Sequence, residues 1–378
     1  MPVKNDLGPR SGDRRWKAAQ RALAAGRTRI LHVDTGLAPH PALGFGADGT
    51  PPANIRMDEG LNWHDPSAGQ RGPVATLAVG AGFVAKATEF PDHGVKTLSV
   101  ILSDNDRLRG VAPGAHVVAH RVANGPVFRS HARTSNIGAA ITHALDRPDP
   151  PRVVSISMGN PGFLGAWEFL RRMLGGETVM AGETRRAIDR AYEAGVIVVC
   201  AAGQIIEGVV YPARFARTIA VGGFREDGAT LTHYPRGGYP DRERVDVWAL
   251  AEDVNRAAAH LGPDGAPVWT YADDPDAPGG EPSGTSYACP QVAAAAALWV
   301  ETFHDEIEAA FGAERWRTVE AFRRALKRSA REATARKANA EGGDETIWRL
   351  DVEALLATPP EADAAFRKRG AAVEAGVW

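Results

Sequence analysis

Cysteine and long apolar runs are both scarce in this sequence of 378 residues. Its two cysteines, Cys200 and Cys289, make neither a disulfide framework nor a four-ligand zinc site on their own. The longest apolar run, around 292–300, is mostly alanine and falls well short of the roughly 18 residues that indicate a membrane-spanning helix. The first residues also lack the apolar stretch of a secretory signal. We therefore expect a cytoplasmic protein with no membrane partner.

An excess of charge of one sign is absent as well. The sequence has 44 Lys and Arg against 46 Asp and Glu, which gives a net charge of −2. Without surplus positive charge the chain has little means of attracting a polyanion, so we expect no nucleic-acid partner. Hydrophobic residues at 44% and charged residues at 24% are ordinary for a globular protein that buries a core.

Short apolar runs alternate with helical patterns along the chain. Runs of this kind are typical of strands buried on both faces, so the alternation predicts an α/β protein with a mostly parallel central sheet and helices on both faces. In such sheets the site lies at the carboxyl ends of the strands. The predicted strands are 30–33, 117–122, 153–158, 196–202 and 218–221, and the predicted helices are 93–102, 136–145, 183–194, 286–303 and 316–335.

The most specific local signal is the sequence Gly-Thr-Ser-Tyr-Ala-Cys-Pro at 284–290, which precedes a helix of small residues. Ser286 therefore lies at a helix N-terminus, where its hydroxyl is in the field of the helix dipole and its backbone N–H has no intrahelical partner. Such an N–H can bind an oxyanion. The alternative is a serine that only caps the helix.

This segment resembles the nucleophile motif G-T-S-x-A-x-P of the subtilisin-like serine protease (subtilase) family at every fixed position. The other family motifs follow in the family's order of acid, histidine and serine. Asp34 begins an Asp-Thr-Gly turn after an apolar strand and resembles D-[ST]-G, and His93 begins a helix with the family's H-G. The family continues H-G-T-H-x-A-G, whereas this chain continues Val95-Lys96-Thr97, so the helix must pack differently.

Further matches to the family occur in register, and together they cover about 29–356. They imply the family's fold, a three-layer α/β/α sandwich. The matching segments are 110–115 (G-V-A-P-x-A), 155–159 (S-x-S-x-G), 211–213 with 219–222 (Y-P-A and I-A-V-G), and 349–354.

The resemblance implies a serine endopeptidase that cleaves a peptide or protein substrate. Ser286 would be the nucleophile, His93 its base, and Asp34 the acceptor that fixes the imidazole tautomer, with an acyl-enzyme intermediate. Two alternatives stay open: a catalytically weak or inactive peptide-binding protein, and a processing peptidase of narrow specificity.

The resemblance also implies where the oxyanion and the substrate bind. Gln204 stands where the family has an oxyanion-binding Asn, and its side chain is longer by one methylene. Ser157, Met158 and Gly159 match the strand along which the substrate backbone lies. Val210 precedes the Tyr-Pro match, where the family often has glycine, so its side chain is expected to project into the pocket for the residue before the cut.

No metal or other cofactor is required by this chemistry. Calcium is an alternative at 104–106, where family members often carry a calcium loop, although Asp-rich turns are usually solvated. His116 and His120 have the spacing of helical metal ligands, but the residues between them are predicted to form a strand, which places the two side chains on one face and well apart.

The predicted organisation has three parts. Residues 1–28 form an N-terminal arm, whose helical segment 13–25 docks on the body as a structural arm or a short autoinhibitor. Residues 29–357 form the catalytic domain, with insertions near 39–92, 161–180 and 252–282. Residues 358–378 form a C-terminal tail.

Overall fold

The computed structural model describes residues 13–65, 72, 90–127, 131–160, 180–204, 209–231, 245–274, 284–336, 344–362 and 364–372. Eight of the described strands form one sheet in the order β2-β1-β3-β4-β5-β6-β10-β9. All neighbouring pairs in it are parallel except β9 and β10, which are antiparallel. The strands are β1 Arg29–Asp34, β2 His116–Arg121, β3 Val153–Ile156, β4 Ile197–Ala201, β5 Ile219–Phe224, β6 Val247–Leu250, β9 Arg331–Arg336 and β10 Asp344–Arg349.

The central strands are apolar throughout because both faces of the sheet are covered. Successive side chains alternate between two hydrophobic cores, so that Ile30 packs in one and Leu31 in the other. The described helices complete the three layers. One face carries α1 Arg14–Leu23, α2 His93–Leu102, α5 Thr285–Thr302, α6 His304–Phe311, α7 Trp316–Ser329 and α8 Val352–Leu355, and the other carries α3 His131–Leu145 and α4 Gly182–Glu193.

The five predicted strands and the helices of the central motifs are present, which confirms the three-layer α/β/α class. Helix α5 owes its buried position to its composition, because a run of alanines lets it pack close to the sheet, and every side chain from Tyr287 to Val300 is buried. None of the described helices combines the length and apolar character needed to cross a membrane.

The helix predicted at 13–25 docks on the body of the protein. It runs over Arg14–Leu23 and buries Trp16, Ala19 and Leu23. The Trp16 indole and the Gln20 amide both donate to the carbonyl oxygen of Val111, each over 3.0 Å. The division of the chain into arm, domain and tail stays a prediction.

Two stretches differ from their predicted structure. No strand was predicted in the insertion at 252–282, yet it contains an antiparallel hairpin of β7 Ala257–Leu261 and β8 Pro267–Tyr271, which packs on α2. The helix predicted at 316–335 ends at Ser329, and the next residues form β9 because they pair with β10. The predicted insertion at 161–180 lies outside the described residues except for its last residue, and in the insertion at 39–92 residues 66–71 and 73–89 lie outside them.

A fully buried histidine on β2 ties folding stability to pH. The imidazole of His120 accepts a 2.9 Å hydrogen bond from the Trp63 indole. Burial, together with the nearby His143, lowers the pKa of His120 to about 3. Between an unfolded pKa of about 6.5 and this folded value, the unfolded chain binds one proton more. The free energy of unfolding should therefore fall as the pH drops through this window, by up to about 1.4 kcal/mol per pH unit for this one group.

Urea denaturation between pH 7 and pH 4.5 measures this slope. His120→Gln can still accept from Trp63 but cannot titrate, so the variant should show a shallower fall in the free energy of unfolding. His116→Gln, at a partly exposed position on the same strand, is the matched control and should keep the wild-type slope. Equal slopes for all three proteins would contradict the assignment.

Candidate active site

Asp34 is the last residue of β1, at the carboxyl end of the sheet, and it is fully buried. Its Oδ1 accepts a 2.7 Å hydrogen bond from the Thr35 N–H, and its Oδ2 accepts one of 3.1 Å from the Thr97 hydroxyl. Burial alone would raise the pKa of this carboxyl. The neighbouring His93 imidazole, its hydrogen bond and the Thr35 N–H outweigh burial and hold the pKa of Asp34 below its usual range.

His93 is the first residue of α2, and its Nδ1 lies 2.7 Å from Asp34 Oδ1. The turn after β1 holds this helix in place, because the Thr35 hydroxyl accepts a 2.8 Å hydrogen bond from the Gly94 N–H. The approach is so close that a Cβ on Gly94 would lie 1.9 Å from the carbonyl oxygen of Gly36. The glycine of the His-Gly pair is therefore required for the acid and the imidazole to meet.

Residues around the start of the helix fix its position, and whether this packing differs from that of the family stays a prediction. Lys96 is buried, donates a hydrogen bond to Asp92, and lies 4.2 Å from the centre of the Phe90 ring. Asp92 also accepts from the backbone N–H of Ala259 over 3.1 Å. A buried ion pair and the hairpin strand β7 thus fix the start of α2.

Ser286 is the second residue of α5, so its backbone N–H has no acceptor within the helix. Its hydroxyl donates a 2.9 Å hydrogen bond to the carbonyl oxygen of Ser157. Between the described side chains of Ser286 and His93 there is no hydrogen bond. The hydroxyl must therefore leave Ser157 before it can give its proton to His93, a rearrangement common in ligand-free sites.

Gln204 lies beside the start of α5, at the end of β4. Its Oε1 accepts hydrogen bonds from the Thr285 N–H at 3.0 Å and from the Thr285 hydroxyl at 2.9 Å, and that hydroxyl accepts one of 3.1 Å from the Gly203 N–H. Because Thr285 holds the oxygen of the Gln204 amide, the NH₂ group of this amide is available to donate hydrogen bonds to a ligand. The longer side chain is thus anchored one residue before Ser286.

The main chain that was expected to pair with substrate already has partners. The carbonyl oxygen of Ser157 accepts from Ser286, and the N–H of Gly159 donates a 2.8 Å hydrogen bond to the carbonyl oxygen of Pro126. Met158 between them points into a hydrophobic core. A peptide strand that paired here, as the resemblance implies, would have to replace both hydrogen bonds.

Val210 fills the space between the two glycines that flank this strand. A Cβ on Gly159 would lie 2.5 Å from Val210 Cγ2, and a Cβ on Gly203 would lie 2.7 Å from Val210 Cγ1. Val209, in contrast, packs in the core on one face of the sheet. The isopropyl group of Val210 therefore fills the space between Gly159 and Gly203, and the assignment of this space to the side-chain pocket stays a prediction.

The turn at 104–106 uses its side chains for its own structure. The Asn105 side-chain oxygen accepts from the N–H groups of Arg107 and Leu108, both at 2.9 Å, and its NH₂ donates to the Tyr271 hydroxyl over 3.0 Å. Within the described part of the chain, no three His, Cys, Asp or Glu side chains could share a metal ion. A calcium site at 104–106 stays a prediction, and these contacts do not favour it.

The two histidines of β2 contact different groups, and the two cysteines form no disulfide. His116 contacts the carbonyl oxygen of Ala24, and His120 accepts from Trp63. Both cysteines are buried and free. Burial raises the pKa of the Cys289 thiol to about 12, so this neighbour of Ser286 stays neutral. It is a packing residue and not a nucleophile.

A sequence model described as the Subtilase family matches residues 80–347, more than two thirds of the chain. The chain belongs to the subtilase family. The match includes His93 and Ser286 but begins after Asp34, so the position of the acid depends on the geometry above.

Known relatives agree with this membership. The chain is 26% identical to subtilisin E of Bacillus subtilis (strain 168), over 70% of this chain and 60% of that protein. A solved protease from Pseudoalteromonas arctica PAMC 21717 aligns with a TM-score of 0.58 at 20% identity, over 91% of this chain and 93% of that one. Fervidolysin from Fervidobacterium pennivorans aligns with a TM-score of 0.58 at 19% identity, over 91% of this chain and 44% of that one.

These structural likenesses show the subtilase fold. The chain spans about three fifths of the length of the curated relatives it matches first.

Several residues of this subtilase site were not predicted to act there. Thr285 anchors Gln204, Thr35 holds the start of α2, and Thr97 binds Asp34. Thr285 and Thr35 lie inside the recognised motifs, so their positions next to Ser286 and Asp34 could have indicated a role. For Thr97 the only signal in the sequence was its spacing of one helical turn, four residues, from His93.

Gln204→Ala should lower kcat for hydrolysis of a peptide substrate by about 10² to 10³, with little change in KM, because loss of one oxyanion donor costs this much in related chemistry. Steady-state kinetics measures both constants. Gln204→Glu is the matched variant, since it keeps an oxygen for Thr285 but has no NH₂ donor, and it should lose at least as much. A loss below about threefold in either variant would show that this amide is not the donor.

Proposed function

We propose that this protein is a serine endopeptidase that hydrolyses peptide bonds through Asp34, His93 and Ser286. The observation that carries the proposal is the 2.7 Å hydrogen bond between the buried Asp34 carboxylate and His93 Nδ1 at the carboxyl end of the sheet. It leaves Nε2 as the basic nitrogen of the ring. Ser286, at the start of α5, supplies the hydroxyl.

The residues fit the steps of acyl transfer. His93 Nε2 takes the proton of Ser286 as Oγ attacks the substrate carbonyl carbon, and Asp34 stabilises the imidazolium that results. The Gln204 NH₂ and the Ser286 N–H are the donors for the oxyanion. His93 then gives its proton to the leaving amine, and water hydrolyses the acyl-enzyme in the reverse sense.

Ser286→Ala should abolish peptide hydrolysis while the fold is retained, because loss of the nucleophile costs several orders of magnitude in rate. A fluorophosphonate probe gives a second readout, since it labels only an activated serine. The wild-type protein should be labelled and Ser286→Ala should not. Ser103→Ala, at a buried serine at the C-terminal end of α2 whose hydroxyl has no hydrogen bond, is the matched control and should stay labelled. Unchanged turnover in Ser286→Ala would sink the assignment.

A second candidate is a subtilisin-like protein that binds peptides without cleaving them. Two observations favour it: the Ser286 hydroxyl donates to Ser157 and not to His93, and Gln replaces the family's Asn at 204. The labelling experiment separates the two functions, because a wild-type protein that binds peptides but takes up no probe would be the non-cleaving one.

The substrate class we propose is a peptide or protein chain with a small side chain before the cut. The contacts of Val210 with Gly159 and Gly203 support this, because a large aromatic side chain would have to displace packed atoms. A processing peptidase of narrow specificity is a form of the same proposal. We also propose a cytoplasmic location, which the two free, buried cysteines support.

Cleavage profiling with a peptide library tests the pocket. Displacing packed atoms costs about 1 to 3 kcal/mol, so we expect a preference for Ala over Phe of about 5-fold to 150-fold in kcat/KM. Val210→Gly should relax that preference, and Val209→Ala, which truncates the neighbouring core side chain, should not. A dominant preference of the wild-type protein for Phe, Tyr or Leu would refute this account of the pocket.

A further inference from the structure

A second imidazole lies beside the acid of the proposed triad. His32 is two residues before Asp34 on β1, so both side chains point to the same face of the strand. Its side chain is 1% exposed, and its Nε2 lies 2.9 Å from the Thr97 hydroxyl oxygen and 3.9 Å from Asp34 Oδ2. The proposed chemistry assigns no role to this group.

Thr97 connects this imidazole to the acid. It follows His93 by one helical turn on α2, which places both side chains on the face of the helix toward β1. Its hydroxyl oxygen lies 3.1 Å from Asp34 Oδ2 and 3.2 Å from the carbonyl oxygens of His93 and Gly94. The hydroxyl has a single proton to donate. The carboxylate is the strongest of these acceptors, since hydrogen bonds to charged groups are about twice as strong as neutral ones.

The direction of the next hydrogen bond follows from this. If the Thr97 proton goes to Asp34, the Thr97 oxygen must accept, so His32 donates from Nε2–H. The other ring nitrogen, Nδ1, is buried without a hydrogen-bond partner, and in this tautomer it carries only a lone pair. The opposite tautomer would bury an unpaired N–H and leave Asp34 Oδ2 without its donor. Burying an unpaired N–H is the rarer arrangement in proteins.

We propose that His32 and Thr97 are positioning residues that support the acid of the triad through a chain of hydrogen bonds, in the order His32 Nε2–H to Thr97, Thr97 O–H to Asp34 Oδ2, and Asp34 Oδ1 to His93. This inference rests on the proposed function. The chain of hydrogen bonds supplies a donor to the second oxygen of the carboxylate, and so holds Oδ1 in place for the imidazole of His93.

The charges around Asp34 are consistent with this role. The titratable groups that act on it are His32 on its own strand, His93 on α2 and the thiol of Cys289 on α5. Burial lowers the pKa of His32 to about 4, and burial keeps the thiol neutral. At neutral pH, His32 therefore donates a hydrogen bond without adding a positive charge that would compete with protonation of His93.

Thr97→Val tests the chain, since it removes the hydroxyl at nearly constant volume. With one donor lost, the Asp34 carboxylate is less neutralised and its geometry is less fixed. We expect kcat to fall by about 10-fold to 100-fold with little change in KM, the range that one hydrogen bond to a charged group represents. We also expect the pKa of His93 to rise, because the imidazolium faces a stronger negative charge. Thr97→Ser should restore most of kcat and return the His93 pKa toward the wild-type value.

Nuclear magnetic resonance of the histidine rings measures the His93 pKa directly, in the full-length chain and in a Ser286→Ala background. That measurement does not depend on turnover. If the wild-type protein hydrolyses no peptide and takes up no fluorophosphonate, the proposed function fails, while the His93 pKa still tests the hydrogen-bond chain. Thr318→Val, at an equally buried threonine in α7, is the control and should leave kcat and the His93 pKa unchanged.

Two results would overturn the inference. One is a Thr97→Val protein with wild-type kcat and wild-type His93 pKa, and the other is a Thr97→Ser protein as impaired as Thr97→Val, which would assign the effect to packing. If Thr97→Val does not fold, the pair His32→Gln and His32→Leu decides. Glutamine keeps an N–H donor toward Thr97 and should retain more activity than leucine, and equal activity of the two would contradict the chain.

Discussion

A buried carboxylate is stable only when hydrogen bonds replace the water it has lost, and Asp34 imposes this condition on its whole surroundings. Its donors come from two elements that are far apart in the sequence. The turn after β1 provides the Thr35 N–H, and α2 provides His93 and Thr97. The helix must therefore begin against the end of the strand, and this is possible because Gly94 and Gly36 allow their backbones to touch.

The same condition explains why the hairpin of β7 and β8, which lies outside the large sheet, matters to the site. The hairpin of β7 and β8 pairs with nothing in the large sheet but donates two backbone hydrogen bonds to α2, from Ala257 to the Ser99 hydroxyl and from Ala259 to Asp92. Together with the ion pair of Asp92 and Lys96, these hydrogen bonds hold α2 in place beside Asp34. The first turn of α2 is thus held by contacts with β1 and with the hairpin.

The sequence was sufficient for the parts of the fold that local pattern determines. Strand β1 and helix α2 were predicted almost to the residue, because apolar runs and a sharp turn define them. Strand β9 was not, since its residues Arg331–Arg336 continue a basic helical pattern and become a strand only by pairing with β10. His32 and Thr97 were missed for a related reason: their contact joins positions 65 residues apart, and no local pattern records it. The roles of the triad residues stay predictions that this geometry supports.

The hydrogen bond from the Ser286 hydroxyl to the Ser157 carbonyl oxygen would couple peptide binding to release of that hydroxyl. In the proposed function, an extended peptide that pairs with residues 157–159 would need the Ser157 carbonyl as an acceptor, and this acceptor becomes available only when the Ser286 hydroxyl turns away. Hydrogen bonds from a peptide to Ser157 and Gly159 would replace hydrogen bonds that these groups already make within the protein, so they would contribute little net binding affinity. Selection among peptides would then depend on the peptide side chains. If the protein acts as we propose, binding of the peptide and release of the Ser286 hydroxyl would be one step, so that the substrate itself would free the nucleophile.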